Sequence, residues 1–283
     1  MKPRRICIVG TGLIGGSFAI KLRQKGIASR IIGVDNNVEH QRQALDLKIV
    51  DEIMDLDDAV KHSDLIAVTT PVDTMIDLMP SLLDQIDRQV VMDMGSTKGR
   101  LVEAISKHPK RGRFVATHPM WGTEHSGPGA AVDQGAFKNK SAVICNAFES
   151  DADAISLVKW VYKRIGMRLL EIEALEHDLH VAYVSHISHI TSFALANTVL
   201  EKEKEEKTIF DLASGGFEST VRLAKSTSTM WVPIFAQNRD NILDVLNEHI
   251  TQLRKFKSCL EKENYGYLIE LIENANRIRK ILK

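Results

Sequence analysis

Ile6-Cys7-Ile8-Val9-Gly10-Thr11-Gly12-Leu13-Ile14-Gly15-Gly16 is an apolar run that passes through G-x-G-x-x-G into a helix-like segment. That order of strand, glycines and helix separates a nucleotide site from a chance trio of glycines. Gly10 allows the tight turn out of the strand, Gly12 leaves room for backbone to approach a pyrophosphate, and Gly15 lets the helix pack closely on the strand. Phosphates would then sit at a helix N-terminus, where unpaired N–H groups and the helix dipole favour negative charge. Leu13 and Ile14 belong to the same cradle. Downstream, Arg30-Ile31-Ile32-Gly33-Val34-Asp35 reads as a second short strand ending in a carboxylate, 20 residues after Gly15. An acid there accepts hydrogen bonds from the adenine ribose hydroxyls and repels a 2′-phosphate, so the predicted cofactor is NAD rather than NADP.

The alternation continues outward from this loop. Leu65–Thr69, Val90–Asp93, Phe114–Thr117, Ala142–Cys145 and Met167–Ile172 read as further strands, with helices from Leu13 to Lys25, from about Asp73 to Leu83, and after Lys98. Strands spaced by helices imply βαβ units and a largely parallel sheet. After residue 172 the pattern is helical: one long helix from Leu175 to Leu200, then stretches near 216–226, 229–260 and 264–282. The charge run Glu201–Lys207 reads as a solvated helix end or loop. The expected architecture is α/β, a Rossmann-type dinucleotide-binding domain over residues 1–172 followed by an all-helical domain over 173–283 for substrate binding and dimerisation.

Composition narrows the classes. The 283 residues carry 37 basic and 37 acidic side chains, so no global field recruits nucleic acid or a membrane surface. An anionic ligand must be held by local Arg and His. Three scattered cysteines suggest neither a disulfide framework nor a cysteine metal site. No apolar run reaches the roughly 18 residues of a membrane span, and a cytoplasmic protein is expected.

A dehydrogenase acting on an alcohol needs a base beside the hydroxyl, and histidine suits this near neutral pH. Of ten histidines, His118 stands out, because it follows the strand Phe114–Thr117 and so lies where an open α/β sheet binds ligands. His40, His62 and His108 read as surface residues, and His177 and His180 as ordinary polar-face residues. His186 and His189 share a helix face but lack a third ligand, so no metal site is expected. Ser96 is placed to N-cap the helix that begins near Lys98, and Arg222 alone reads as a surface ion pair.

The block Ala116-Thr117-His118-Pro119-Met120-Trp121-Gly122-Thr123-Glu124-His125-Ser126-Gly127 resembles the prephenate/arogenate dehydrogenase family of tyrosine biosynthesis. The glycine loop, Thr69-Thr70-Pro71-Val72, Asp93–Lys98, Ser185–His189, Gly215–Phe217, Arg222–Ser226 and Met230-Trp231 match that family in order. The resemblance implies that His118 is the catalytic base toward the ring hydroxyl, with Ser96 orienting it. It also implies that Arg222 pairs with a substrate carboxylate and His189 binds substrate, while Glu124 lies at the mouth of the site. Thr70 and Pro71 join the cofactor loop. The implied reaction is NAD-dependent oxidative decarboxylation of prephenate by a homodimer. The alternatives are arogenate as substrate, or more distantly a β-hydroxyacid dehydrogenase or imine reductase.

Overall fold

The computed structural model describes residues 4–131, 135–206 and 208–281. Eight strands form one sheet: β1 (Arg4–Val9), β2 (Ala28–Val34), β3 (Glu52–Ile53), β4 (Leu65–Val68), β5 (Val90–Asp93), β6 (Phe114–Pro119), β7 (Ser141–Cys145) and β8 (Arg168–Ile172). Their order is β3-β2-β1-β4-β5-β6-β7-β8. Every neighbouring pair is parallel except β6 and β7, which run antiparallel with His118 opposite Val143. The first six strands follow the doubly wound order, with its switch point between β1 and β4.

Alternate side chains of each strand point to opposite faces. Ile6, Ile8, Leu65, Ala67 and Val115 pack on one face with Phe18 and Leu22 of α1 (Leu13–Gln24) and Val158 and Tyr162 of α6 (Ala152–Arg164). Cys7, Val9, Ile66, Val68 and Ala116 pack on the other face. There the cover comes from α3 (Leu56–Lys61), α4 (Val72–Gln85) and α5 (Gly99–Ala104). Both faces are therefore dry, which is why the strands read as continuous apolar runs rather than alternating ones. Phe18 is wholly buried, and truncating such a ring to alanine costs about 3–5 kcal/mol. Helix α2 (Val38–Asp46), strand β3 and α3 complete the second crossover; their short or polar sequences gave no periodic signal.

The predicted single helix from Leu175 to Leu200 is not one α-helix. It is α7 (Ala174–Val181), a π turn (Ala182–His186) and α8 (Ile187–Glu203). Next come α9 (Gly215–Val221), a 3-10 turn (Arg222–Lys225) and α10 (Ser228–Gln237). The stretch predicted as one helix over 229–260 is broken at Asn238, and α11 (Arg239–Glu261) and α12 (Tyr265–Asn276) follow. Lys207 and Leu282, at the ends of two predicted segments, lie outside the described residues.

By compactness the chain divides into Met1–Asn238 and Arg239–Lys283. The strand-to-helix transition at 172/173 lies inside the first unit, because α7 and α10 hydrogen-bond to the loop after β5. Asp178 takes the Lys98 N–H, and Thr97 Oγ1 donates to Gln237. Among the described residues no helix is long and apolar enough to cross a membrane.

Candidate active site

The glycine loop leaves β1 at the carboxyl edge of the sheet. Gly10 has φ +95°, a conformation that disfavours any side chain. A Cβ on Gly15 would overlap the Gly10 carbonyl and lie 2.8 Å from Ile8 Cγ2, so helix and strand meet at a distance only glycine permits. A Cβ on Gly12 would meet nothing within 4 Å, so space opens in front of α1. The helix has no side-chain cap and no acid in its first turn, leaving its N–H groups for an anion. Asp35 sits at the end of β2, accepting the Thr11 N–H (2.8 Å) and hydroxyl (2.9 Å) on Oδ2 and the Asn37 N–H (3.0 Å) on Oδ1. After β4, the buried Thr70 hydroxyl has no hydrogen-bond partner among the described residues. An open helix N-terminus, an acid at the end of β2 and an orphaned hydroxyl on one edge fit a dinucleotide such as NAD.

His118 is the penultimate residue of β6, on the same edge. Its Nδ1 is 2.9 Å from His177 Nε2, and His177 Nδ1 is 2.8 Å from Asp178 Oδ1. His177 is thus buried in the site rather than lying on a polar helix face, because the first turns of α7 pack against the loop after β5. Asp178 also accepts the Lys98 N–H on Oδ1 and the Gly99 N–H on Oδ2, each at 2.8 Å. It therefore caps α5 from 80 residues away. Ser96 does not cap that helix: it is partly exposed in the loop between β5 and α5, and among the described residues its hydroxyl makes no hydrogen bond.

The loop carrying Ser96 is braced from beneath. Lys98 and Asp93 form an ion pair with both side chains wholly buried. Asp93 also accepts N–H groups from Gly95 (2.8 Å) and Thr117 (2.9 Å), tying the loop to the residue before His118. Removing one partner of such a pair strands a buried charge and costs about 3–5 kcal/mol. The residues Asp93 and Lys98 stand in the matched block, but nothing local in the sequence marks them as partners.

These contacts fix a protonation pattern. The Asp178 carboxylate only accepts, so His177 Nδ1 carries its proton and Nε2 accepts. His118 Nδ1–H must then be the donor to His177, leaving His118 Nε2 with a free lone pair. Burial pushes His118 well below its usual value, with the nearby His177 and Lys98 adding to the effect, so its imidazole rests neutral. Burial also lowers His177 and His189, and takes His186 down to about 4.

The π turn brings the helical residues to this site. Twelve residues of α-helix at about 100° each would put His189 roughly 120° around from His177. A π turn absorbs one residue, and the remaining eleven steps leave them about 20° apart. His189 donates from Nδ1 to the Ser185 carbonyl (3.0 Å), and its ring stacks on Trp231 with centroids 3.5 Å apart. Arg222 pairs with Glu124 at 2.9 Å. Glu124 is held below its usual value by its own backbone N–H and by Arg222. A cavity of about 670 Å³ opens beside this pair, lined by Glu124, His125, Ser126, Gly129, Lys225 and Thr227.

Fold and site together define a nicotinamide-dependent dehydrogenase built on a dinucleotide-binding sheet, with a hydrogen-bonded histidine pair at its carboxyl edge. Residues 18–171 match the family model described as prephenate dehydrogenase, nucleotide-binding domain, and residues 173–274 match its dimerization domain. The chain belongs to the prephenate dehydrogenase family, NAD-dependent oxidoreductases. It is 31% identical to the prephenate dehydrogenase of Bacillus subtilis, over 97% of this chain and 75% of that protein. It is 27% identical to the cyclohexadienyl dehydrogenase of Zymomonas mobilis, over 99% and 96%. It also resembles the crystal structure of A. aeolicus prephenate dehydrogenase in complex with hydroxyphenyl propionate and NAD+, with a TM-score of 0.91 and 30% identity over 100% of this chain and 99% of that one.

Proposed function

We propose that this chain oxidatively decarboxylates prephenate to 4-hydroxyphenylpyruvate with reduction of NAD. The observation that carries this reading is the chain His118–His177–Asp178, which leaves a neutral imidazole nitrogen free at the cofactor edge of the sheet. NAD, when bound along Gly10–Gly15, Asp35, Thr70 and Pro71, supplies the hydride acceptor. His118 Nε2 takes the proton of the ring hydroxyl as that carbon gives up its hydride. The ring carboxylate departs as carbon dioxide, its bonding electrons restore the aromatic ring, and the phenolate oxygen so formed takes the proton back from His118. Asp178, acting through His177, stabilises the transient imidazolium in a site whose burial otherwise opposes it. Ser96 faces the same hydroxyl from the end of β5, and Arg222 with His189 receives the substrate's side-chain carboxylate.

A second substrate has one specific observation behind it. With Arg222 on the side-chain carboxylate, Glu124 at 2.9 Å stands where arogenate carries an ammonium in place of the keto group. The working form is a cytoplasmic homodimer; α11 and α12 expose Leu243, Leu253, Leu260, Ile269 and Ile272, an apolar surface of the kind a partner copy covers. The test is NADH formation with prephenate and with arogenate in parallel, and with NADP as the cofactor control. Faster turnover of prephenate supports the proposal, faster turnover of arogenate replaces it, and turnover of neither rejects both.

A further inference from the structure

We propose that Ser192 is a positioning residue for substrate binding, fixing the turn that carries Arg222. This rests on the reading of Arg222 as the carboxylate ligand. Arg222 occupies the junction where α9 ends and the 3-10 turn Arg222–Lys225 begins. Such a junction leaves backbone groups without helical partners. Among residues 211–226 no side chain is buried, so core packing does not hold this segment in place.

The Ser192 hydroxyl supplies the hold. It donates to the Thr220 carbonyl at 3.1 Å and accepts the Ala224 N–H at 3.1 Å, gripping the backbone two residues to either side of Arg222. Ser192 itself is 2% exposed on α8, a rigid support. Helical hydroxyls ordinarily turn back onto their own helix. Ser156, Thr198 and Thr251 do so here, each bonding the carbonyl four residues earlier. Ser192 instead spends both its donor and an acceptor on another segment. It lies one turn after His189 on the same helix face, so one short stretch of α8 sets where both substrate-facing side chains, His189 and Arg222, stand.

The test is a double-mutant cycle of Ser192→Ala and Arg222→Ala, read as steady-state KM and kcat for prephenate and KM for NAD. Ser192→Ala is expected to raise KM for prephenate about fivefold, the worth of roughly one hydrogen bond, with kcat and the NAD KM within about twofold. In the Arg222→Ala background the serine change should add nothing. An unchanged KM in Ser192→Ala, or the same rise with and without Arg222, overturns the proposal. An Arg222→Ala enzyme with unaltered prephenate KM instead overturns the reading of Arg222, and this inference with it. Should Ser192→Ala not fold, Ser192→Cys, which keeps the volume and weakens both bonds, carries the same comparison.

Discussion

Replacing His177 by leucine isolates the contribution of the histidine chain. Leucine fills much the same volume but offers no acceptor 2.9 Å from His118 Nδ1. Asp178 keeps the Lys98 and Gly99 N–H groups, so the α5 cap survives. His118 then either buries an unpaired N–H, at a cost of about 1–3 kcal/mol, or moves its proton to Nε2. The second response is the easier one, and it points an N–H at the hydroxyl that must be deprotonated. The productive tautomer becomes rarer by about 5- to 150-fold, and kcat should fall by a factor within that range. Arg222 is untouched, so KM for prephenate should stay within about twofold. The assay is initial-rate NADH absorbance at saturating NAD, with the thermal midpoint measured alongside. A kcat within twofold of the parent, at an unchanged midpoint, would refute the claim that His177 sets the tautomer of His118.

Two other outcomes are expected. Asp35→Ser should raise the NAD KM and relax discrimination against NADP, because the carboxylate that repels a 2′-phosphate is gone; an unaltered cofactor ratio in parallel titrations would show that Asp35 does not face the ribose. Acid should destabilise the fold earlier than carboxylates alone would. His186, buried with Nδ1 accepting from Asn238, is lowered from 6.5 to about 4 in the native state, so the unfolded chain binds the proton first. Its contribution is complete above about pH 6.5 and is lost as pH falls toward 4, roughly 1 kcal/mol of it by pH 5.5 and about 3 kcal/mol in all. Urea midpoints measured from pH 7 to 5.5 should fall; a flat series would mean that His186 takes up its proton without penalty.

The parts of the site that were legible in the sequence are those that act through neighbours in the chain. The glycine loop needs its glycines at fixed spacing, and the acid after β2 falls at a fixed distance from them. His118 is marked by the strand whose carboxyl end carries it. What stayed hidden depends on residues far apart. Asp178 caps a helix 80 positions earlier, so neither element carries a sign of the other. His177 looked like a polar-face residue because a helical wheel assumes an unbroken α-helix, and nothing in Ala182-Tyr183-Val184-Ser185-His186 signals a π turn. The break at Asn238 is equally silent. It has neither glycine nor proline, and the Asn238 amide there donates to the Asp178 carbonyl (2.6 Å) and to His186 (3.1 Å).

The π turn makes the winding of one helical segment an active-site variable. Between His177 and His189 the facing is set by one residue more than the α-helical turns use, not by any one side chain. Losing one residue between Ala182 and His186 would let the segment relax into an ordinary α-helix with every backbone bond satisfied. Eleven steps of that helix still leave His189 about 20° from His177, so the downstream residues keep their facing, whereas tightening all twelve into α-helix at constant length would turn His189 and Ser192 by about 100°. A single deletion within these five positions should therefore leave kcat and KM close to the parent, while a substitution that straightens the turn at constant length should abolish catalysis. Relatives that retain the chemistry should therefore either keep the extra residue with its π turn or lack both together.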